Sequence, residues 1–193
     1  MARKYELETI PIWDAFDAES ECPLCLLDER AEKRYLDFFL GNSVMAPEMR
    51  VEVNKTGFCR HHFVALWHAA KNKHPLSLMT HTHLKDLMHT VGRHERKLAK
   101  PRENSRSLNR KLDAYLDHLR SRASSCLICD RLAYTLDRYT FTIVYLWKTK
   151  DDFRKTFNAS RGFCLHHLPP LLDMAREQLG GKTLGEFVSE TMH

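Results

Sequence analysis

The sequence predicts an all-α protein built from two similar helical units, each pinned by a metal site made of three cysteines and one histidine. Three observations lead there. Gly and Pro number only seven each in 193 residues, and a chain so poor in chain-breaking residues, with 43% apolar content, favours packed helices over strands and turns. All six cysteines fall into two triplets of matching spacing, Cys22, Cys25, Cys59 and Cys126, Cys129, Cys164. Each third cysteine follows Gly-Phe and stands two residues before a His-His pair, TGFCRHH in the first copy and RGFCLHH in the second. Agreement at this level marks an internal duplication, with units near 8–75 and 108–180.

The helices follow in chain order. Segments 8–18 and 108–120 lead into the two Cys-x2-Cys pairs; in the second, Leu108, Leu112, Leu116 and Leu119 share one helical face. Segments 26–40 and 130–148 follow the pairs. Leu132, Leu136, Ile143 and Trp147 form a helical stripe, although TFTIVYLW within it is also strand-like. Helices of roughly 60–72 and 170–179 are expected at the His-His segments. Residues 76–98 form a further amphipathic helix with a stripe of Leu84, Leu87, Met88 and Val91, and 183–191 is its nearest counterpart. The polar segment 99–107 reads as a linker. The expected organisation is a first metal-binding unit over 1–98, including the extra helix, and a second over 108–193.

Cys-x2-Cys is the usual half of a zinc site, two thiolates directed at one ion from a tight turn. Within each copy the Cys-x-His-His segment supplies a third thiolate and an imidazole, which completes a closed tetrahedral set. Residues three apart on a helix lie on one face. That spacing selects His62 with Cys59 and His167 with Cys164, with His61 and His166 as the alternatives. Pro169 and Pro170 would break a helix begun at Cys164, so 164–168 is expected as a turn. The ligand set is therefore Cys22, Cys25, Cys59, His62 and Cys126, Cys129, Cys164, His167, holding two zinc ions per chain. Iron–sulfur clusters are the alternative, since soft thiolates suit both. Gly57 and Gly162 are expected to let the backbone approach the thiolates, and Phe58 and Phe163 to cover the sites or to fill core.

The CPLC and GFCxxH combination, occurring twice in a helical chain, resembles an uncharacterised family of bacterial proteins, a domain of unknown function. The resemblance implies a helical bacterial protein with His62 and His167 as the matching histidines. It implies no activity. The second copy departs by carrying Leu127 where CPLC has Pro23, a position between the ligands.

Other chemistry is disfavoured. No βαβ pattern surrounds either Cys pair, as a disulfide oxidoreductase would require. Leu26 and Asp130, not histidine, follow the second cysteines, so haem attachment fails. No His-x-Glu precedes Pro-Cys-x2-Cys as in a zinc deaminase. A closed Cys3His shell leaves no open position for hydrolysis, and no catalytic residues can be named. His68, His74, His81, His83, His89 and His94 crowd one region without the i,i+3 or i,i+4 pairing of a further helical metal site, and read as surface or half-buried residues.

Net charge is +5, and Arg93–Arg122 alone holds ten Lys/Arg against four Asp/Glu, a local +6. No apolar run approaches the ~20 residues of a membrane span, and MARKYELETI has no signal core. The reading is a cytoplasmic, non-enzymatic interaction module that binds a protein partner. The alternatives are nucleic-acid binding through the basic 93–122 stretch, which includes Arg96, Lys97, Lys100, Arg102, Arg106, Arg110 and Lys111, and a redox or sensing protein carrying iron–sulfur clusters.

Overall fold

The computed structural model describes residues 9–41, 46–99 and 104–192. Among them are ten helices and no strand: α1 (Ile10–Phe16), α2 (Pro23–Leu40), α3 (Pro47–Thr56), α4 (Arg60–Ala69), α5 (His74–Leu98), α6 (Ser105–Ser124), α7 (Leu127–Thr149), α8 (Asp151–Asn158), α9 (Leu168–Gln178) and α10 (Gly181–Thr191). Helix starts follow local chemistry. Proline stands in the first turn of α1, α3, α5 and α9, where its missing N–H would have no intrahelical partner. Asn104 caps α6, its side-chain oxygen accepting the Ser107 amide at 2.9 Å. TFTIVYLW lies inside α7, and its threonines are absorbed by bonding back to the helix, Thr140 to Asp137 O and Thr142 to Arg138 O. No described helix is long and apolar enough to cross a membrane.

The chain forms two compact units. One comprises 1–33 with 132–193, the other 34–131. Each boundary falls inside a helix, α2 and α7. The units are therefore not the sequential halves 1–98 and 108–193. The linker segment 99–107 belongs to the second unit, with 105–107 already in α6 and 100–103 outside the described residues.

The first unit has an aromatic core. Phe153 of α8 meets Trp13 and Phe16 of α1 edge-on, both at 5.0 Å between ring centres. Phe157 lies on Phe16, Phe163 and Phe187, and Trp147 packs edge-on to Phe187. Ile143, Val144, Leu146, Leu171, Ala175 and Leu24 fill the remainder. At its edge the indole N–H of Trp147 donates to Glu190, which also accepts from Arg154.

In the second unit α3 packs on α5, and α5 on α6. Phe39 contacts Phe58, and the Arg131 guanidinium lies over Phe38 and Phe39 while bonding Glu52 at 2.9 Å. The face that α5 turns inward differs in part from the expected stripe. Leu84 and Met88 are 49% and 75% exposed. Leu87 and Val91 of that stripe are half-buried, and the inward line runs through Leu76, Met79, His83, Leu87 and His94. His83 lies about 100° around the helix from Leu84. The partner of α5 in this hairpin is α6, which buries no residue and exposes Leu108 and Leu112. The hairpin is joined largely through polar and ring contacts: Asp86 to Arg122, His94 stacked on Tyr115 and His118, and the Lys111 ammonium on Lys97 O.

Candidate metal centre

Each ligand pair is positioned by a helix start or a tight turn. Cys22 immediately precedes α2 and Cys25 lies in its first turn, with the Cys25 amide on Cys22 O. Cys126 and Cys129 repeat this placement at α7, where the Asp130 amide donates to Cys126 O. Cys59 is the N-cap of α4, with His62 in the first turn. Side chains at the N-cap and three residues on meet over the helix N-terminus, where exposed amides favour thiolate. The fourth pair uses a turn. Cys164–His167 closes with the His167 and Leu168 amides on Cys164 O, and α9 begins at Leu168 with Pro169 and Pro170 in its first turn.

The pairs assemble crosswise. Cys22 and Cys25 of the first copy meet Cys164 and His167 of the second, and Cys126 and Cys129 of the second meet Cys59 and His62 of the first. The expectation that each copy closes its own set is thereby corrected. Helix length explains why. From Cys25 to Leu40 a straight helix advances about 23 Å, and the ten residues of α3 retrace at most about 15 Å. From Cys129, α7 advances about 30 Å and α8 retraces about 12 Å. In both copies the returning helix is shorter than the outgoing one, so the helices do not retrace the path to the pair they follow. Each crossed set nevertheless lies within one compact unit, the first in 1–33 with 132–193, the second in 34–131.

The geometry suits a small tetrahedral cation. Bonds of ~2.3 Å to sulfur and ~2.0–2.1 Å to nitrogen give tetrahedral edges of about 3.8 Å between sulfurs and about 3.6 Å from sulfur to nitrogen. In the first set His167 Nδ1 lies 3.8, 3.3 and 3.3 Å from the sulfurs of Cys22, Cys25 and Cys164, and the Cys25 and Cys164 sulfurs are 3.5 Å apart. In the second, His62 Nδ1 lies 3.3 Å from each of Cys59, Cys126 and Cys129, and the Cys59 and Cys129 sulfurs are 3.9 Å apart. Either group could hold a metal ion. His62 and His167 are buried, while His61 and His166 are exposed. Both Cys3His groups contain the i,i+3 histidine.

Without a cation the thiols resist ionising together. Burial first, then the neighbouring thiols, push Cys25 and Cys129 up to about 12. Burial works against ionisation of Cys59 and Cys164 too, but the backbone amides of His62 and His167 and the adjacent thiols bring both below the ordinary thiol value. Burial lowers His167, keeping it neutral with a lone pair available. A cation relieves this crowding, since coordinated thiols deprotonate outright.

Residues outside the motifs brace the second set. The carbonyls ending α3, just before Gly57, are bonded by His83 Nδ1 (3.0 Å to Val53 O), by the Arg122 guanidinium (2.8 Å to Asn54 O, and also Lys55 O) and by Ser125 Oγ (2.6 Å to Thr56 O). The Leu127 amide donates to Gly57 O at 3.0 Å, tying the GFC segment to the Cys126–Cys129 turn. Gly57 has φ +72°, and a Cβ there would stand 2.5 Å from the His83 ring. The glycine is thus demanded by backbone conformation and by His83, not by approach to a thiolate. The sequence reads His83 as a surface or half-buried histidine and Arg122 as the end of the basic stretch; His83 is half-buried, but neither spacing nor residue type marks the two as supports. In the first set, Arg161 bonds Glu21 across the two ligand segments at 2.7 Å. Phe163 packs on Phe16 and Phe157 as core, and Phe58 packs on Phe39.

Fold and site together define a helical protein with two Cys3His groups, each able to take one ion. The family model for a family of unknown function (DUF6062) matches residues 3–193, and the chain belongs to that family. No curated protein and no solved structure matches the chain.

Proposed function

We propose that each Cys3His group holds one zinc ion, two per chain, that both ions are structural, and that the chain is a non-enzymatic interaction module. The observation that carries this reading is the set of ligand distances, which match the edges of a zinc tetrahedron in both groups. All four corners are protein atoms, so no position is left for a catalytic water. The crossed arrangement makes each ion a long-range staple. Cys25 and Cys164 are 139 residues apart, and Cys59 and Cys129 are 70 apart. Structural zinc contributes an apparent ~10–16 kcal/mol in small fingers, against a typical whole-domain stability of ~5–15 kcal/mol. Removing both ions should unfold most of the chain. The six free cysteines fit a reducing compartment, and the reading places the protein in the cytoplasm.

The test is anaerobic purification of untagged protein, elemental analysis and an absorption spectrum, followed by helical circular dichroism with and without a strong chelator. Two colourless zinc ions per chain and a melt that collapses on chelation are expected. Iron with sulfide and visible colour would replace the reading with a cluster-bearing redox or sensing protein. A melt indifferent to chelation would overturn the structural role.

A further inference from the structure

We infer that the outward face of α4 binds single-stranded nucleic acid, an inference that rests on the interaction-module reading and names its partner. The chain carries no Asp or Glu between Glu52 and Asp86, while Lys55, Arg60, Lys71, Lys73 and Lys85 fall within that span. Phe63, Val64 and Trp67 are 37%, 44% and 50% exposed, large apolar groups left on the surface of one short helix. With Arg60 they follow the i, i+3, i+4, i+7 spacing of a single helical face, and Lys71 stands exposed just beyond the helix end.

Aromatic rings beside cations are what an unpaired strand requires. Bases stack on the rings and phosphates meet the cations, with little dependence on sequence. Trp67 and Lys73 already form such a unit. The ammonium lies 4.8 Å from the ring centre, and it is fixed there by its 2.7 Å bond to Ala70 O. The opposite side of the same helix carries buried His62 into the Cys59–Cys126–Cys129 group, so the metal site sets the position of the rings. The basic stretch of α5 and α6 is a poorer surface for stacking. It interleaves Glu95, Asp113 and Asp117 among its cations, and the large apolar groups it exposes are Leu108 and Leu112. An acidic peptide would answer the charges of α4 but would not use the rings.

The experiment is a titration of full-length protein, its metal content measured in the same sample, with a fluorescein-labelled 12-nucleotide deoxythymidine strand at low salt. Anisotropy and intrinsic tryptophan emission are both followed. Trp13 and Trp147 are buried at 4% and 2% exposure, so emission quenched on binding reports Trp67. Trp67→Ala is expected to weaken binding about 5- to 150-fold, the range for one stacked base. Lys71→Gln should lower the slope of log affinity against log salt by about 0.7. Binding that Trp67→Ala leaves unchanged overturns the inference. So does polyglutamate binding with the same dependence on Trp67, which would assign the face to an acidic protein. Two ions per chain with no strand bound defeats this inference and leaves the metal reading standing. Strand binding by a folded chain without metal does the reverse.

Discussion

Replacing Gly57 with alanine should damage the Cys59–His62–Cys126–Cys129 group through two separable costs. Gly57 sits at φ +72°, ψ −161°, a region essentially confined to glycine, where another residue carries about 1–3 kcal/mol of strain. The new Cβ would also stand 2.5 Å from His83 Cε1 and 2.9 Å from Nε2, so the imidazole must leave. His83 would then lose its 3.0 Å bond to Val53 O, worth about 1 kcal/mol. Together the change should cost about 2–4 kcal/mol. Gly162→Ala is the internal control. Its φ is +92°, but nothing lies within 4 Å of the added carbon, so only strain remains. Urea unfolding of the metal-loaded proteins, followed by helical circular dichroism, measures both. Gly57→Ala should shift the midpoint further by the equivalent of about 1 kcal/mol or more, with no change in slope. Adding His83→Ala should make the double change cost at least about 0.5 kcal/mol less than the sum of the singles. Equal losses at the two glycines, or strict additivity with His83→Ala, would refute the reasoning.

Other expectations follow from the packing and the titrating groups. Phe153→Ala, in the aromatic core of the first unit, should cost about 3–5 kcal/mol in the same unfolding assay; a loss below 1 kcal/mol would contradict the core assignment. Glu190 is held below its ordinary value of 4.5, first by its bonds from Arg154 and despite burial. Its stabilisation is therefore present above about pH 4.5 and lost as pH falls through the folded value. Glu190→Gln should lower stability at pH 7 by about 1–3 kcal/mol and flatten the acid limb, read from denaturation midpoints between pH 6 and 3. Burial first, then the charges of His94, Arg122 and Arg93 against the opposing Asp86, hold His118 below 6.5. The stability it confers is full above about pH 6.5 and declines as pH falls. Hydrogen exchange in α5 and α6 should thus accelerate between pH 7 and 5 once corrected for intrinsic rates, and less so in His118→Leu. Equal acceleration in both proteins would remove His118 from the account.

The ligands were legible because their chemistry is local. The Cys-x2-Cys pairs and Cys59–His62 occupy a helix start and first turn, where spacing alone brings side chains together, and the two prolines after His167 mark the turn that holds Cys164 and His167 ahead of α9. Helix α7 was ambiguous locally, and burial of Ile143, Val144, Leu146 and Trp147 in one core decided it, a case of packing overriding propensity. Helices α3 and α8 were not named in advance, although Pro47 and the Asp151–Asp152 pair ahead of Phe153 and Phe157 mark their starts. The crossing of the two copies was not legible from spacing, which is equally satisfied by closing each set within its own copy. It goes with the unequal lengths of the outgoing and returning helices, and the returning helices α3 and α8 carry no motif. The stripe on α5 holds only in part: Leu87 and Val91 are half-buried while Leu84 and Met88 are exposed, because the neighbouring α6 meets α5 through Arg122, His118 and Tyr115.

The crossed assembly is tested most directly by counting tightly held ions in two double variants, each dialysed against a mild chelator. Cys25→Ala with Cys164→Ala removes two ligands from one set and none from the other, so one ion per chain should remain. Cys25→Ala with Cys59→Ala removes one ligand from each set, so neither ion should survive dialysis. The opposite pattern, one ion retained when Cys25 and Cys59 are changed and none when Cys25 and Cys164 are, would mean that each copy closes its own site and would contradict the account.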